Sequence, residues 1–114
     1  MKDKLLILRP GFFSCNEGPF YCGDSVCVEG LLSFCPQLRD MVEIEYIDAP
    51  RPRNAIVSLI GEDNQSAPVI VLGKGQVPKD ASVAVQEYNG TRFINAPDDI
   101  RRYLSSQYNV ARAS

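Results

Sequence analysis

Apolar residues in the first half of the chain switch between strand-like and helix-like spacing. The continuous apolar run at residues 4–9 predicts a buried strand, and the alternation of apolar and acidic residues at 42–47 predicts a half-exposed strand at a sheet edge. Between them, helical spacing predicts a helix that begins near Cys22 and is capped by Asp24 or Ser25. Its predicted buried stripe consists of Cys27, Val28, Leu31, Leu32, Phe34 and Cys35.

Loops and a second helix separate these elements from a third strand. Residues 10–21 are largely polar and contain glycine and proline, which predicts a loop. Residues 53–60 predict a second helix with Gly61 at its C-cap. Residues 69–72 are an apolar run of strand length and predict a buried strand. No pattern assigns residues 73–84 to an element.

The last third of the chain predicts a hairpin followed by a helix. Asn89-Gly90 is typical of the two-residue type I′ turn that joins antiparallel strands. Pro97 suits the first turn of the final helix, whose apolar stripe is Ile100, Tyr103 and Leu104. The predicted order is therefore β-α-β-α-β-β-α in one α/β domain spanning residues 1–114. We expect a mixed sheet of four to five strands, helices on both faces, and the first two strands parallel.

Composition and charge exclude several classes of function. The chain has 12 basic and 14 acidic residues, a net charge of −2 and no long basic run, so we expect no nucleic-acid partner. Histidine is absent, which removes Cys-His and Ser-His pairs and every His-containing metal site, and we expect no metal. No apolar run approaches the ~20 residues of a membrane span, so we expect no membrane partner. We expect a cytoplasmic protein whose four cysteines are thiols.

Three short motifs carry a resemblance to a known fold family. Residues 22–25 (C-G-D-S) open the first predicted helix and resemble the C-x-x-S motif of monothiol glutaredoxins. Ala67-Pro68, directly before a predicted strand, resembles the cis-proline of thioredoxins, glutaredoxins and glutathione transferases. Residues 95–99 (N-A-P-D-D) resemble the Gly-Gly-Cys-Asp-Asp stretch with which glutaredoxins hold the γ-glutamyl end of glutathione. With the order of elements, these motifs resemble the thioredoxin-like fold.

A second resemblance covers nearly the whole chain. The segments P-F-Y-C, V-E-G-L-L, D-A-P-R-P-R, E-D-N-Q-S-A-P-V and N-G-T-R-F-I are similar to those of a small bacterial thioredoxin-like family of unassigned function. This second resemblance implies the fold and leaves the activity open.

The resemblance to glutaredoxins implies roles for the matching residues. It implies that Cys22 is the nucleophilic thiol and that Ser25 stands where a resolving cysteine would be. It also implies that the Ala67–Pro68 bond is cis and lies in contact with Cys22. The implied partner is glutathione, or a protein thiol or disulfide. The implied ligand-binding residues are Arg9, Ala67, Pro68, Asp98 and Asp99.

The physical chemistry of a helix N-terminus supports a reactive Cys22. Unpaired backbone N–H groups and the positive end of the helix dipole favour a thiolate there, whereas Asp24 opposes it. Cys27 and Cys35 lie on the predicted apolar stripe and are expected to be buried. Helical geometry points Cys22 and Cys27 apart, so no disulfide between them is expected. Cys15, on the predicted loop, is the candidate resolving thiol.

Other candidate residues have simpler explanations beside the functional one. Asp98 and Asp99 suit the first turn of a helix, and Ser25 suits a helix cap. Arg51 and Arg53 flank Pro52 and form either an anion clamp or a pair of solvated arginines bound to nearby carboxylates.

Two classes of function remain open from the sequence. The first is a glutathione-linked thiol-disulfide oxidoreductase in which Cys22 attacks a mixed disulfide and glutathione resolves it. The second is a redox-inactive binding module on the same scaffold, supported by Asp24 and by the absence of a second cysteine in the motif. A variant of the second is an iron–sulfur carrier, in which two Cys22 thiolates and two glutathiones bridge a cluster between two chains.

Overall fold

A continuous apolar run places the first strand at the middle of the structure. The computed structural model describes residues 1–114. Its strands are β1 (Lys4–Leu8), β2 (Phe12–Ser14), β3 (Glu17–Phe20), β4 (Glu43–Ile47), β5 (Val69–Val71), β6 (Gln86–Tyr88) and β7 (Thr91–Ile94). Its helices are α1 (Gly23–Phe34), α2 (Leu38–Met41), α3 (Asn54–Ile60) and α4 (Pro97–Gln107).

Five of the strands form one mixed sheet in the order β4-β1-β5-β7-β6. β1 and β4 are parallel, with Lys4 opposite Glu43 and Leu8 opposite Ile47. The other neighbouring pairs in this sheet are antiparallel. The predicted parallel pairing of the first two strands of this sheet is therefore confirmed. The alternating strand β4 also lies at a sheet edge, as its pattern predicted.

Helices cover both faces of this sheet, as expected from the alternation of elements along the chain. Leu5 and Ile7 of β1 pack with residues of α1 and α4 on one face. Leu6 and Leu8 pack with residues of α3 on the other face. Because both sets of β1 side chains are buried, the strand reads as an unbroken apolar run.

The segment predicted to be a loop at residues 10–21 is instead a small hairpin formed by β2 and β3. Phe12 lies opposite Phe20, and their ring centroids are 6.2 Å apart. Cys15 and Asn16 form the two-residue turn, with φ angles of 53° and 63°. Positive φ at both positions is the geometry of a type I′ turn. The prediction of a flexible loop was wrong because cysteine is not a residue that usually signals this turn.

Helix α1 differs from its prediction in its cap and in its buried stripe. Cys22, rather than Asp24 or Ser25, is the N-cap residue. The buried positions are Ser25, Val28, Leu32 and Cys35, which follow helical spacing on one side. Cys27 is exposed and Phe34 is 89% exposed, so the prediction that both belong to the buried stripe was wrong. The apolar residues of α1 extend around more of the helix than the sheet can cover.

The second half of the chain follows its predictions closely. Asn89 and Gly90 have φ angles of 47° and 84°, so they form the predicted type I′ turn between β6 and β7. Pro97 is the first residue of α4, and the predicted stripe of Ile100, Tyr103 and Leu104 is fully buried. Residues 73–84 contain no helix or strand.

A buried carboxylate joins the N-terminal end of β1 to α4. Asp3 is fully buried and accepts hydrogen bonds from the backbone N–H of Gly73 (2.7 Å) and from the hydroxyls of Tyr103 (2.6 Å) and Tyr108. Gln76 contributes a longer contact of 3.3 Å. Burial, and then the hydrogen bonds to Asp3, raise the pKa of Tyr103 and of Tyr108 far above the usual value for tyrosine.

Candidate functional site

Cys22 occupies the start of α1, at the opposite end of β1 from Asp3. Its backbone is extended (φ −82°, ψ 116°), and its Sγ accepts a hydrogen bond of 3.4 Å from the backbone N–H of Ser25. The side chain is half-buried and the thiol is not in a disulfide. A sulfur that accepts a helix N-terminal N–H lies where negative charge is stabilised and where a reagent can reach it.

The segment before β5 lies against this thiol. Sγ of Cys22 is 3.8 Å from the carbonyl oxygen of Ala67, and the Ala67–Pro68 bond is cis. Both predictions for this pair are confirmed, the cis bond and the contact with Cys22. Cys22 and Ala67 both pack against the hydrophobic cluster on the α3 side of the sheet. The first turn of α1 and the segment before β5 therefore both contact the thiol.

Ser25 has a structural contact that the sequence did not indicate. Its Oγ accepts a hydrogen bond of 3.2 Å from the backbone N–H of Leu8, and the side chain is only 3% exposed. The first turn of α1 is thereby tied to the end of β1. With its hydroxyl buried and engaged in this way, Ser25 positions the helix that carries Cys22.

Arg53 lies close to Cys22 and holds the loops around it. Its Nε donates to the carbonyl of Ala49 and its Nη1 donates to the carbonyl of Gln65, both at 2.8 Å. Burial, and then the charge of Arg51, lower the pKa of Arg53, whereas negative charge on Cys22 opposes this change. The sequence had offered Arg53 only as one half of an anion clamp or as a solvated arginine.

A small cavity of about 100 Å³ opens beside Cys22. Its lining residues are Ile7, Leu8, Pro10, Tyr21, Cys22, Ser25, Val26, Glu29 and Tyr46. Tyr46 donates a 2.6 Å hydrogen bond to Glu29, and Arg39 binds both side chains. Burial, and then the bond to Glu29, raise the pKa of Tyr46. The alternation along β4 places Tyr46 on the same face as Ile44. It could not reveal the partners of Tyr46, because Glu29 and Arg39 belong to α1 and α2.

The remaining predicted ligand residues do not line this cavity. Arg9 is exposed and forms a 2.9 Å ion pair with Asp48. Asp98 pairs with Arg101. Asp99 pairs with Arg102 and also accepts the backbone N–H of Ala84 at 3.2 Å. The structure therefore brings Cys22, Ser25, Ala67 and Pro68 together, whereas Arg9, Asp98 and Asp99 are engaged in contacts of their own.

The other three cysteines are free thiols in different settings. Cys35 is buried, as predicted. Cys27 is exposed, because it projects from α1 beside the buried stripe rather than along it. Cys15 is exposed at the tip of the β2–β3 hairpin, where the turn fixes its backbone. Cys22 is the only cysteine that combines partial burial with a hydrogen bond from a helix N-terminus.

A comparison with protein-family models gives one match, which covers residues 2–112. The model is described as a protein of unknown function (DUF3088). The chain belongs to this family. The matched residues include both the cavity at Cys22 and the Asp3 network, and the match assigns neither of them a role. Neither the curated proteins nor the solved structures contain a significant match to the chain.

No group of three or more cysteine, aspartate and glutamate side chains is arranged to hold a metal ion. None of the four helices combines the length and the apolar composition needed to cross a bilayer.

Proposed function

We propose that this DUF3088 protein is a glutathione-linked thiol-disulfide oxidoreductase in which Cys22 is the nucleophile. The observation that supports this proposal most directly is the position of Sγ. It accepts the backbone N–H of Ser25 at the helix start and lies 3.8 Å from the carbonyl oxygen of Ala67. This half-buried thiol lies at a helix N-terminus, a position at which reactive cysteines are found in other proteins.

The proposed fold is thioredoxin-like. It is supported by the parallel pair β1 and β4, by the antiparallel β5 and β7 beside them, and by helices on both faces. The cis bond at Ala67–Pro68 next to the helix-start thiol agrees with the same assignment. In this proposal the cytoplasm, where thiols stay reduced, is the compartment of the protein.

The proposed reaction has two exchange steps. The Cys22 thiolate attacks the glutathione sulfur of a mixed disulfide, a new S–S bond forms, and the substrate leaves as a thiolate that takes up a proton. A second glutathione, as its thiolate, then attacks the sulfur of the bound glutathione. Oxidised glutathione, made from the bound glutathione and the attacking one, is released and the Cys22 thiolate is regenerated. The reaction therefore consumes one free glutathione and releases the substrate as a reduced thiol.

Residues of this chain contribute binding and orientation to these steps. The backbone of Ala67 would pair with the peptide-like backbone of glutathione, as an added strand pairs with a sheet edge. Arg53 would hold the loops that contain Ala49 and Gln65 in place, because it donates hydrogen bonds to both of their carbonyls. Arg9, Asp98 and Asp99 are already paired with Asp48, Arg101 and Arg102, so a ligand would have to displace these ion pairs.

The proposal is tested by intact-mass analysis after incubation with oxidised glutathione. We expect the wild type to form one glutathione adduct rapidly and Cys22→Ser to lack this rapid adduct. Cys27→Ser, the matched control, should form the adduct at the rate of the wild type. Adduct formation at Cys22 should be about tenfold or more faster than at Cys27, because only Cys22 has the anion-stabilising setting.

Arg53 provides a second readout for the same site. Arg53→Gln should slow adduct formation at Cys22 several-fold, while the exposed Arg51→Gln should change it little. No adduct in the wild type, or an adduct that disappears with Cys27→Ser, would contradict the proposed reaction.

A redox-inactive binding module is the second candidate, and one observation favours it. The implied glutathione contacts at Arg9, Asp98 and Asp99 are occupied by ion pairs within the chain. In its iron–sulfur variant, a cluster would be held by Cys22 thiolates of two chains and two glutathiones. That variant predicts visible absorbance and dimerisation after reconstitution with iron and sulfide, both lost in Cys22→Ser.

A further inference from the structure

An apolar groove runs along the outer side of α1 and shares Val26 with the Cys22 cavity. Its volume is about 370 Å³. Val26 is 50% exposed, Phe34 is 89% exposed, and Cys27 is also exposed along this side. The residues that line the groove from α1 are Val26, Cys27, Gly30, Leu31, Phe34 and Cys35. A stretch of exposed side chains this apolar is not required by the core, which uses the opposite side of the helix.

The residues after α4 form the other wall of this groove. Ser105 donates its hydroxyl to the carbonyl of Ala111 at 3.0 Å, and its own carbonyl accepts the N–H of Val110 at 3.1 Å. These two bonds fold the segment back against α4. They bring Arg112 to the groove, beside Arg101 of α4.

A second, polar cavity of about 470 Å³ adjoins the groove at this end. The two cavities share Arg101, Ser105, Arg112 and Ala113. The polar cavity is lined in addition by Asp80, Ser82, Asp98, Arg102 and Ser114. An apolar surface therefore leads directly into a cluster of three arginines.

Two of the three arginines in this cluster are paired. Arg101 is paired with Asp98 and Arg102 with Asp99, while Asp80 accepts both the backbone N–H (2.9 Å) and the hydroxyl (2.6 Å) of Ser82. Arg112 has no carboxylate within 4 Å. Nε of Arg101 is the one buried side-chain nitrogen or oxygen in the structure that lacks a hydrogen-bond partner. A buried donor without an acceptor is uncommon in folded proteins and marks a place where an acceptor is missing.

We propose that the groove binds a small amphipathic anion, namely an alkyl carboxylate of medium chain length. Its chain would lie on Val26, Leu31 and Phe34, and its carboxylate would accept hydrogen bonds from Arg101 and Arg112. A carboxylate matches the planar guanidinium and supplies the acceptor that Arg101 lacks. The volumes of the two cavities are in the range of small-molecule sites. The proposal does not rest on the oxidoreductase function, although Val26 lines both this groove and the Cys22 cavity.

Cys27 gives the site a built-in reporter, because its exposed thiol lies in the groove. The experiment measures the rate of iodoacetamide labelling of Cys27 and Cys22 by peptide mass spectrometry, with and without decanoate. Decanoate should slow labelling of Cys27 at least several-fold and leave labelling of Cys22 unchanged. We expect little protection of Cys27 by acetate, which has the carboxylate without the alkyl chain. We expect the same for decyltrimethylammonium, which has the alkyl chain with the opposite charge.

Matched variants separate the head and chain contributions. Arg112→Gln and Phe34→Ser, both at exposed positions, should each weaken decanoate binding about tenfold as measured by titration calorimetry. Arg51→Gln and Phe13→Ser, exposed elsewhere, should leave binding unchanged. Equal protection by decyltrimethylammonium, or binding that is insensitive to both groove variants, would overturn the proposal. Protection by vesicles of anionic phospholipid without protection by monomeric decanoate would overturn it as well, in favour of a membrane surface.

Discussion

The polar groups near the two ends of β1 differ in burial and in the number of hydrogen bonds they accept. At the N-terminal end, the Asp3 carboxylate is fully buried and accepts a backbone N–H and two tyrosine hydroxyls. At the C-terminal end, the Cys22 thiol is half-buried and accepts one N–H, from Ser25, at 3.4 Å. Asp3 and Cys22 therefore lie near opposite ends of the same strand, but only Asp3 has several hydrogen-bond donors around it.

The difference shows how one strand can serve both stability and reactivity. A buried polar group whose hydrogen bonds are all made rigidifies the structure around it, and removing it leaves several donors unpaired. A group with few partners and access to solvent keeps its capacity to react. We therefore expect substitutions at the Asp3 end to act on folding and substitutions at the Cys22 end to act on chemistry.

The largest effect is expected for Asp3→Ala. It leaves the hydroxyls of Tyr103 and Tyr108 and the N–H of Gly73 without their acceptor, so we expect a loss of about 3–4 kcal/mol in the free energy of unfolding. Urea denaturation followed by circular dichroism measures it. The exposed Asp63→Ala is the matched control and should change stability by less than about 0.5 kcal/mol. A similar loss in both variants would show that the Asp3 network contributes nothing special.

Alkaline pH should weaken the same end of the strand. The pKa of Tyr103 is raised in the folded state, so folding keeps this hydroxyl protonated while the unfolded chain ionises near pH 10. The contribution is fully present below about pH 10 and is lost as pH rises above it, at about 1.4 kcal/mol per pH unit. Tyr103→Phe should be less stable near neutrality and show a shallower alkaline decline in urea titrations. Parallel declines in the two proteins would contradict this assignment.

At the Cys22 end, the largest effect on stability is expected from Ser25→Ala. The substitution removes the acceptor of the buried Leu8 N–H and should cost about 1–3 kcal/mol. Ser33→Ala, an exposed serine on the same helix, is the control and should be nearly neutral. The rate of glutathione adduct formation at Cys22 distinguishes the two ends. It should fall in Ser25→Ala and stay unchanged in a variant of Asp3 that still folds.

Local patterns predicted the parts of the fold that depend on neighbouring residues. The apolar run of β1, the alternation of β4, the Asn89-Gly90 turn and Pro97 at the start of α4 each report a local preference that the structure keeps. Cys22 at the start of α1 and the cis bond before β5 were found from short motifs. Spacing and turn residues were enough for the strands, the turn and the helix starts, whereas the cis bond was implied by the resemblance of Ala67-Pro68 to the cis-proline of glutaredoxins.

The features that were missed depend on contacts distant in sequence or on unusual turn residues. Asp3 lies 100 residues from Tyr103, and no spacing rule connects them. Ser25 binds the backbone of Leu8, and a backbone partner leaves no mark in the sequence. The β2–β3 hairpin was missed because Cys15 occupies a positive-φ turn position where asparagine or glycine usually signals it. Cys27 was wrongly assigned to the core because α1 is apolar on more than one side.

The order of strands also decides how the molecule behaves in concentrated solution. An outer strand offers unpaired N–H and C=O groups on which another chain can add, the first step toward fibres. β4 carries Glu43 and Glu45 on this margin, with Lys4 within 3.8 Å and 2.8 Å of them. β6, at the other margin, is only three residues long and fully exposed, with Glu87 at its centre. Charge on one margin and short length on the other disfavour growth of the sheet from molecule to molecule.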